Sequence, residues 1–186
     1  MTDETHKTQP NSGGYKNLIV YQNAVVIYDL TDEFCKRYMT YQTNKSYRTY
    51  DQMIQAARSG KQNIVEGSLE KSLKMNIKLT GVARASLAEL AEDYEDFLRI
   101  RKLTIWPKDD LRVLKIRNAY KTHEPHLTHQ TYLKNGESFA NLMLTLLSQE
   151  NYLLDQMIRS LEAKFVREGG YSENLTKQRI RYKNNY

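Results

Sequence analysis

The sequence predicts an all-α protein: an antiparallel up-down four-helix bundle with a short extra helix inserted between the third and fourth long helices. Two observations predict this class. Apolar residues recur every three or four positions along four long stretches, which is the period of an amphipathic helix. The three prolines fall between those stretches, and no segment alternates apolar and polar residues as a strand would. Long amphipathic helices with a tight turn between two of them are typical of a bundle.

The first two helices are predicted over residues 16–41 and 46–67. The dipeptide Gly67-Ser68 supplies a stop for the second helix and an N-cap candidate for the next. Four small residues, Ala56, Ala57, Ser59 and Gly60, lie in the middle of the second helix, where Gly60 costs about 1 kcal/mol against alanine. Close packing of another helix would compensate for that cost, so we expect a neighbour to approach there.

The remaining elements follow from the same periodicity and from helix-stop signals. A third helix is predicted over 70–103, a shorter one over 107–120, an irregular segment over 121–136, and a last long helix over 137–166 that ends before Gly169-Gly170. In domain terms, we predict a disordered lead at 1–14, the bundle at 15–170 with an insertion at about 104–136, and a basic tail at 171–186 that carries one or two helical turns.

Composition excludes several classes of protein. With a mean hydropathy of −0.72 and 27% charged residues, the chain holds no apolar run long enough to cross a bilayer. Residues 1–14 lack the apolar core of a secretory signal. The single cysteine, Cys35, cannot form an intramolecular disulfide, which fits a reducing cytoplasm. Because no histidine or asparagine pattern accompanies it, we interpret Cys35 as a buried thiol and predict no enzyme activity.

Metal and cofactor sites are also predicted to be absent. His123, His126 and His129 could converge on an ion only in a helical segment, and Pro125 disfavours one. The acidic residues around Glu89 to Asp96 lack the histidine partners of a di-metal bundle site. We interpret the histidines as a surface loop and the acidic residues as a solvated helix face.

Three stretches carry a family resemblance. Residues 55–68, read QAARSGKQNIVEGS, resemble the second helix of the four-helix-bundle proteins encoded in 23S rRNA intervening sequences, which contains an arginine followed by Asn-Ile-x-Glu-Gly. Residues 83–90, read ARASLAEL, and 161–165, read LEAKF, continue the likeness. The resemblance covers about 18–103 and 137–168, and the insertion and tail are similar to a longer subgroup with a C-terminal suffix.

The resemblance implies an assembly and a partner, but no catalysis. Members of the family form ring-like homo-oligomers, typically pentamers. A related protein serves as the accessory protein of diversity-generating retroelements, where it binds nucleic acid and a reverse transcriptase. The resemblance therefore implies a homo-oligomer, favours an RNA or DNA partner, and implies no enzyme activity. The composition predicts no membrane partner.

The matched polar positions admit two interpretations. If the second and third helices are antiparallel, Arg58 lies near positions 82–86, and Glu66 faces the first turn of the third helix, whose free N–H groups favour a carboxylate. We interpret the set as a hydrogen-bonded seam that fixes helix register, with a ligand site as the alternative. Its members are Arg58, Asn63, Glu66, Ser86 and Glu89.

Charge gives the strongest functional indication. The segment from Arg99 to Lys121 has a net charge of +6, equal to that of the whole chain. Basic residues on one surface bind nucleic-acid phosphates by releasing counterions. The predicted contacts are Arg99, Arg101, Lys102, Lys108, Arg112, Lys115, Arg117 and Lys121, with Lys177, Arg179, Arg181 and Lys183 in the tail.

Two functions remain open on this basis. The first is a non-enzymatic homo-oligomer that binds nucleic acid through the basic surface, without strong sequence preference. The second is a protein-interaction scaffold whose partner docks on the tail or on the surface rich in tyrosine, of which the chain has 14. Tyrosine suits both protein interfaces and base stacking, and we interpret most of these residues as interface or core.

Overall fold

The computed structural model describes residues 14–39, 48–121 and 130–185. Those ranges are helical throughout their regular elements and contain no strand, which confirms the all-α prediction. A short 3-10 turn at Tyr15–Asn17 precedes the first helix. The helices are α1 (Ile19–Tyr38), α2 (Arg48–Leu69), α3 (Leu73–Ile100), α4 (Leu111–Lys121), α5 (Gly136–Glu168) and α6 (Tyr171–Asn184).

The four longest of these helices share one apolar core. Helix α1 packs against α2 and α5, and α3 packs against the same two helices from the other side. Side-chain contacts mark these interfaces: Lys61 of α2 lies over the Tyr28 ring of α1, and Phe139 of α5 lies beside Phe34 of α1. Helix α4 packs against α5, so the segment that joins α3 to α5 is fastened to the outside of this core.

The junction between α2 and α3 lies further along the chain than predicted. Gly67 belongs to α2, and the N-cap of α3 is Ser72, whose hydroxyl accepts from the Met75 amide at 3.5 Å. Gly67 is buried because α3 approaches it closely: an added Cβ would lie 3.1 Å from Asn76 Oδ1 and 3.3 Å from Leu79 Cβ. The predicted Gly-Ser stop is therefore a close-packing site inside the helix.

Helix α4 begins at Leu111, later than the predicted start at 107. The carboxylate of Asp110 accepts from the Arg112 amide at 2.8 Å, and the Asp110 carbonyl accepts the first helical bond from Leu114 at 3.0 Å. Asp110 is thus the residue that caps the helix. Residues 107–109 form the turn that precedes this cap.

The C-terminal tail is more helical than predicted. Gly169, with φ +78°, ends α5 as expected, because glycine adopts a positive φ without steric cost. The Glu173 carboxylate then accepts from the Gly170 amide at 3.1 Å. This bond satisfies a free amide at the start of a helix, and α6 continues for 14 residues instead of one or two turns.

Two predicted segments lie wholly or partly outside the described residues. The N-terminal lead falls almost entirely on residues 1–13, and half of the irregular segment predicted over 121–136 falls on 122–129. Of that segment, residues 130–132 are helical and 133–135 lead into α5. Asn135 caps α5 by accepting from the Ser138 amide at 2.9 Å.

Gly60 permits the close approach of α3 that its position in the sequence predicts. An alanine Cβ there would lie 2.6 Å from Leu87 Cδ2 and 2.7 Å from Leu87 Cγ, and Leu87 is fully buried. We expect Gly60→Ala to destabilise the protein by about 1–2 kcal/mol, because overpacking of about 1–3 kcal/mol exceeds the gain in helix propensity of about 1 kcal/mol. Urea unfolding measures this difference.

Gly81 provides the matched control on the partner helix. It lies within α3, and nothing is found within 4 Å of an added Cβ. Gly81→Ala is therefore expected to stabilise the protein by about 0.5–1 kcal/mol through helix propensity alone. A stabilising Gly60→Ala would show that α2 and α3 can move apart at no cost, contrary to this packing.

Candidate nucleic-acid interface

The basic segment begins where α3 ends. Lys102 has φ +56°, and its amide donates to the Arg99 carbonyl at 3.1 Å while Leu103 donates back to Leu98 at 2.9 Å. These bonds close the last turn of the helix and redirect the chain. The backbone then crosses the outside of the core to reach α4.

Asn141 on α5 holds the crossing chain in place. Its Oδ1 accepts from the Trp106 amide at 2.7 Å, and its Nδ2 donates to the Thr104 carbonyl at 2.8 Å. Asn141 is 2% exposed, so these bonds form away from water. A buried amide with a donor and an acceptor both satisfied fixes the position of the segment that it binds. Sequence reasoning missed Asn141, although a polar residue within an apolar stretch was a signal that could have found it.

Two arginines of the segment stack on buried aromatic rings. The Arg101 guanidinium lies 4.0 Å from the centre of the Phe97 ring, and that of Arg112 lies 3.8 Å from the Trp106 ring. Partial burial lowers the pKa of Arg101. Stacked guanidinium groups lose rotational freedom but still present N–H donors at their edges, which suits phosphate recognition.

Asp110 fixes the direction of Arg112. Its two carboxylate oxygens accept from Arg112 Nε at 3.0 Å and Nη2 at 2.7 Å. These hydrogen bonds, with the one from the Arg112 amide, lower the pKa of Asp110 to about 2. Arg112 is therefore partly neutralised, and its main effect is to hold Trp106 and the start of α4 together.

The predicted basic residues differ in whether a nearby carboxylate already neutralises their charge. Arg99 pairs with Asp96 at 2.6 Å, and Arg112 pairs with Asp110. Lys121 belongs to α4, but its side chain lies outside the described residues. The residues that carry no ion pair within the described ranges are Lys102, Lys108, Lys115 and Arg117 on the segment, and Lys177, Arg179, Arg181 and Lys183 on α6.

A cleft of about 490 Å³ opens beside the two stacked arginines. Arg101, Arg112 and the buried rings of Phe97 and Trp106 line one side, and the N-terminal turn of α5 lines the other. The Asn135 cap already occupies one amide of that turn, and Glu137 adds a negative charge. Of the predicted basic residues, Arg101 and Arg112 thus line a depression in the surface.

The predicted polar seam is smaller than expected. Ser59 and Ser86 hydroxyls lie 2.9 Å apart across α2 and α3, and Asn63 Nδ2 donates to the Ser59 carbonyl at 2.9 Å and to its hydroxyl at 3.2 Å. The bond between the two serines links α2 to α3, as the register interpretation requires, whereas both Asn63 bonds lie within α2. Arg58, Glu66 and Glu89 are exposed and make no hydrogen bond or ion pair in the described part of the chain. Ser72, instead of Glu66, caps the first turn of α3.

A wide groove of about 920 Å³ runs between α2 and α3 over this seam. Its floor consists of small side chains, and its rim carries Glu89, Glu92 and Asp93. Partial burial and the neighbouring carboxylates of Asp96, Glu89 and Glu92 raise the pKa of Asp93 to about 6. The negative rim disfavours phosphate, so the groove and the basic segment are distinct surfaces.

The other predicted chemical groups contribute no site to the described chain. Cys35 is buried beside Met53, and burial raises the pKa of its thiol to about 12, which keeps it protonated. No group of three metal-binding side chains occurs in the described ranges, and His123, His126 and His129 lie outside them.

Within the described ranges no helix is both long and apolar enough to cross a membrane. Among the predicted tyrosines, Tyr28 and Tyr38 pack against the core, as expected for structural residues.

Comparison with protein families then identifies the chain. The family model of the 23S rRNA-intervening sequence proteins matches residues 16–121, which is more than half of the sequence. The chain belongs to this family. Curated proteins and solved structures gave no match to it.

The family match extends from the start of α1 to the end of α4. It therefore includes residues 104–121, which sequence reasoning had placed in an insertion, and it leaves out the predicted likeness at 137–168. The whole basic segment, from Arg99 to Lys121, thus lies in the part of the chain that the family model matches.

Proposed function

We propose that this chain is a non-enzymatic, homo-oligomeric helical-bundle protein of the cytoplasm that binds the backbone of RNA or DNA through the basic segment. The observation that carries the proposal is the group of exposed basic side chains without ion pairs on a segment fastened rigidly to the core. A fixed set of cations binds phosphates with less loss of conformational entropy than a flexible tail does.

The proposed arrangement of α1, α2, α3 and α5 is an antiparallel up-down four-helix bundle. Two pairs of contacts support it. Ser59 lies beside Ser86 and Gly67 beside Asn76, so residues later in α2 meet residues earlier in α3. In the same way, Asn23 meets Glu150, whereas Phe34, later in α1, meets Phe139, earlier in α5. Both orders are those of antiparallel neighbours.

The proposed assembly is a ring of copies, with the pentamer as the expected number. The family resemblance motivates it, and the groove between α2 and α3 supplies a surface with small side chains such as Ala56, Ala85 and Ala88, over which another helix could pack closely. Repetition around a ring would bring several basic segments to one assembly and increase avidity for a long nucleic acid. Light scattering coupled to size-exclusion chromatography measures the number of copies.

Charge reversal at three exposed lysines tests nucleic-acid binding. We expect Lys102→Glu, Lys108→Glu and Lys115→Glu together to weaken binding at least tenfold at about 0.1 M salt. Each lost phosphate contact reduces the salt slope by about 0.7–0.9, so the slope should fall by about 2–3. Fluorescence anisotropy with a structured RNA and a duplex DNA over a salt series measures both quantities. Arg112 is left in place because its removal would disturb Asp110 and Trp106.

A matched triple variant controls for net charge. Lys71, Lys74 and Lys78 are exposed near the opposite end of α3, which is roughly 40 Å long at 1.5 Å per residue. Their reversal to glutamate changes the charge by the same amount and should leave most of the salt slope intact. An equal loss in both variants would show non-specific attraction, and unchanged binding in the first would exclude the basic segment.

The alternative is a protein-interaction scaffold, and α6 is the observation that favours it. Its residues are exposed apart from the half-buried Asn174, and Tyr171 and Leu175 present 43% and 47% of their surface to solvent. An exposed helix with apolar residues four positions apart fits a groove on a partner protein. If the wild-type chain shows no nucleic-acid binding even at low salt, this function replaces the first.

A further inference from the structure

A third cavity, of about 220 Å³ and distinct from the cleft and the groove described above, lies beneath the basic segment. Its walls come from α3, α4, α5 and the chain that crosses between them. Ala91, Ile105, Val113 and Leu144 make much of the lining apolar. At 220 Å³ the volume is many times the ~10–15 Å³ that one water molecule requires, and it is smaller than a typical drug-sized pocket. It suits a single flat ring system.

Two buried polar atoms of residues that line this cavity have no hydrogen-bond partner within the described structure. They are the donor Trp106 Nε1 and the acceptor Asn151 Oδ1. Trp106 is 7% exposed, and both atoms are shielded from bulk solvent. An unsatisfied buried polar group costs about 1–3 kcal/mol, and native proteins retain few of them. Two such atoms at one cavity indicate a ligand that offers both an acceptor and a donor.

Charged residues beside the cavity narrow the class of ligand. Lys108, Arg117 and one carboxylate, that of Glu95, also line it, so the basic groups outnumber the acidic one. Neither cation has an ion pair within the described ranges. A ligand that combines an anionic group with a polar ring would satisfy the cations and the two orphan atoms together. A nucleotide has this combination, because its base carries donors and acceptors along one edge and its phosphate is anionic.

We infer that this cavity binds one unpaired nucleotide, with Trp106 Nε1 donating to the base edge and Asn151 Oδ1 accepting from it. Lys108 and Arg117 contact the adjoining phosphate. The inference rests on the proposed function, which it refines from backbone binding to recognition of a single-stranded or bulged site. Because unpaired bases can leave the helical stack at little cost, the cavity favours them over bases in a duplex.

Tryptophan fluorescence of the full chain tests this inference directly, because Trp106 is the single tryptophan of the sequence. The probes are AMP and CMP, compared with ribose 5-phosphate and inorganic phosphate, which lack a base. We expect saturable quenching by the nucleotides, and at least tenfold weaker binding of the probes without a base. Asn151→Leu should weaken nucleotide binding at least tenfold. The matched control is Asn118→Leu, an exposed position on α4 outside the cavity lining, and it should leave binding unchanged.

A second variant, with a second assay, keeps the inference testable if Asn151→Leu does not fold. Trp106→Phe keeps an aromatic ring but removes the Nε1 donor, and equilibrium dialysis with radiolabelled AMP measures its binding without fluorescence. At least a tenfold loss supports the inference. The inference is overturned if Asn151→Leu and Trp106→Phe both bind AMP as tightly as the wild type does. It is also overturned if the wild type binds phosphate as tightly as AMP, or if it binds no nucleotide.

The outcomes also separate this inference from the proposed function. If the wild-type chain binds structured RNA with a steep salt slope but does not bind mononucleotides, the nucleotide cavity is wrong and the basic segment stands. If the chain binds neither RNA nor mononucleotides, both are wrong. If the chain binds AMP but not RNA, the nucleotide cavity is supported and the proposed nucleic-acid function is wrong.

Discussion

Glu150→Gln is expected to stabilise the protein at pH 8.5 by about 2–4 kcal/mol. Glu150 is fully buried in α5, where Asn23 Nδ2 donates to its Oε2 at 2.9 Å and its Oε1 has no partner within the described structure. Burial raises the pKa of this carboxyl to about 8, although the Asn23 bond opposes the shift. A charged carboxylate with one neutral donor is expensive in an apolar core, and glutamine removes the charge while keeping a similar shape.

The sign of the pH dependence follows from the raised pKa. Between pH 4.5, the ordinary value, and about pH 8, the folded chain holds a proton on Glu150 that the unfolded chain has lost. The free energy of unfolding therefore falls as pH rises through this window, by on the order of 3–5 kcal/mol at about 1.4 kcal/mol per pKa unit, and then levels off. The glutamine variant lacks this contribution.

Urea unfolding of both proteins from pH 5 to pH 9 measures the effect. The other carboxyl groups, including Asp93, titrate in both proteins, so the difference between them isolates Glu150. We expect the two stabilities to agree within about 1 kcal/mol at pH 5 and to diverge with rising pH. A difference that does not change with pH would mean that water or a cation reaches the carboxylate and keeps its pKa near the ordinary value.

Phe34→Ala is expected to destabilise the protein by about 3–5 kcal/mol, the usual cost of removing a fully buried phenylalanine side chain. The Phe34 ring is at the centre of an aromatic cluster: its centroid lies 4.8 Å from Tyr94 and Phe97, 5.1 Å from Tyr38 and 5.3 Å from Phe139. Three helices meet on this one side chain, so no single neighbour can move to fill the space that alanine would leave. Thermal or urea unfolding measures the loss.

Phe34→Leu separates volume from aromatic geometry. Leucine keeps much of the buried apolar area but loses the edge-to-face contacts, each of which contributes about 0.5–1.5 kcal/mol. We therefore expect about half of the alanine effect. Equal losses in both variants would assign the stability to ring contacts alone, and a loss below about 1 kcal/mol in the alanine variant would contradict the central position of Phe34.

Sequence periodicity was sufficient to predict the four long helices, and the small residues in the middle of α2 predicted a close neighbour. That neighbour is α3, where Leu87 meets Gly60. The end of α5 was predicted equally well, because a Gly-Gly pair after a long amphipathic stretch is a strong local signal. The prediction was wrong at Gly67, where the same residue type serves close packing within α2. Local sequence does not distinguish a glycine that ends a helix from one that lets another helix approach.

The candidate sites depended more heavily on the tertiary structure. The sequence located the basic segment by its charge, but it gave no indication that Arg112 is tied to Asp110 and Trp106 while Lys115 is not. Within α5, Glu150 is buried, whereas the neighbouring Gln149 is half-buried. A shift of one position rotates a helix face by about 100°, and only the neighbouring helices fix that rotation.

The sequence by itself therefore determined the all-α class, the family and the concentration of positive charge between α3 and α4. Each of these depends on residue type and on spacing within a few turns of helix. The tertiary structure alone decided that Asn141 holds the crossing segment and that Trp106 and Asn151 share a cavity. Each of these two features joins residues 35 or more positions apart along the chain. Whether such residues meet depends on how the helices pack, which a local pattern does not encode.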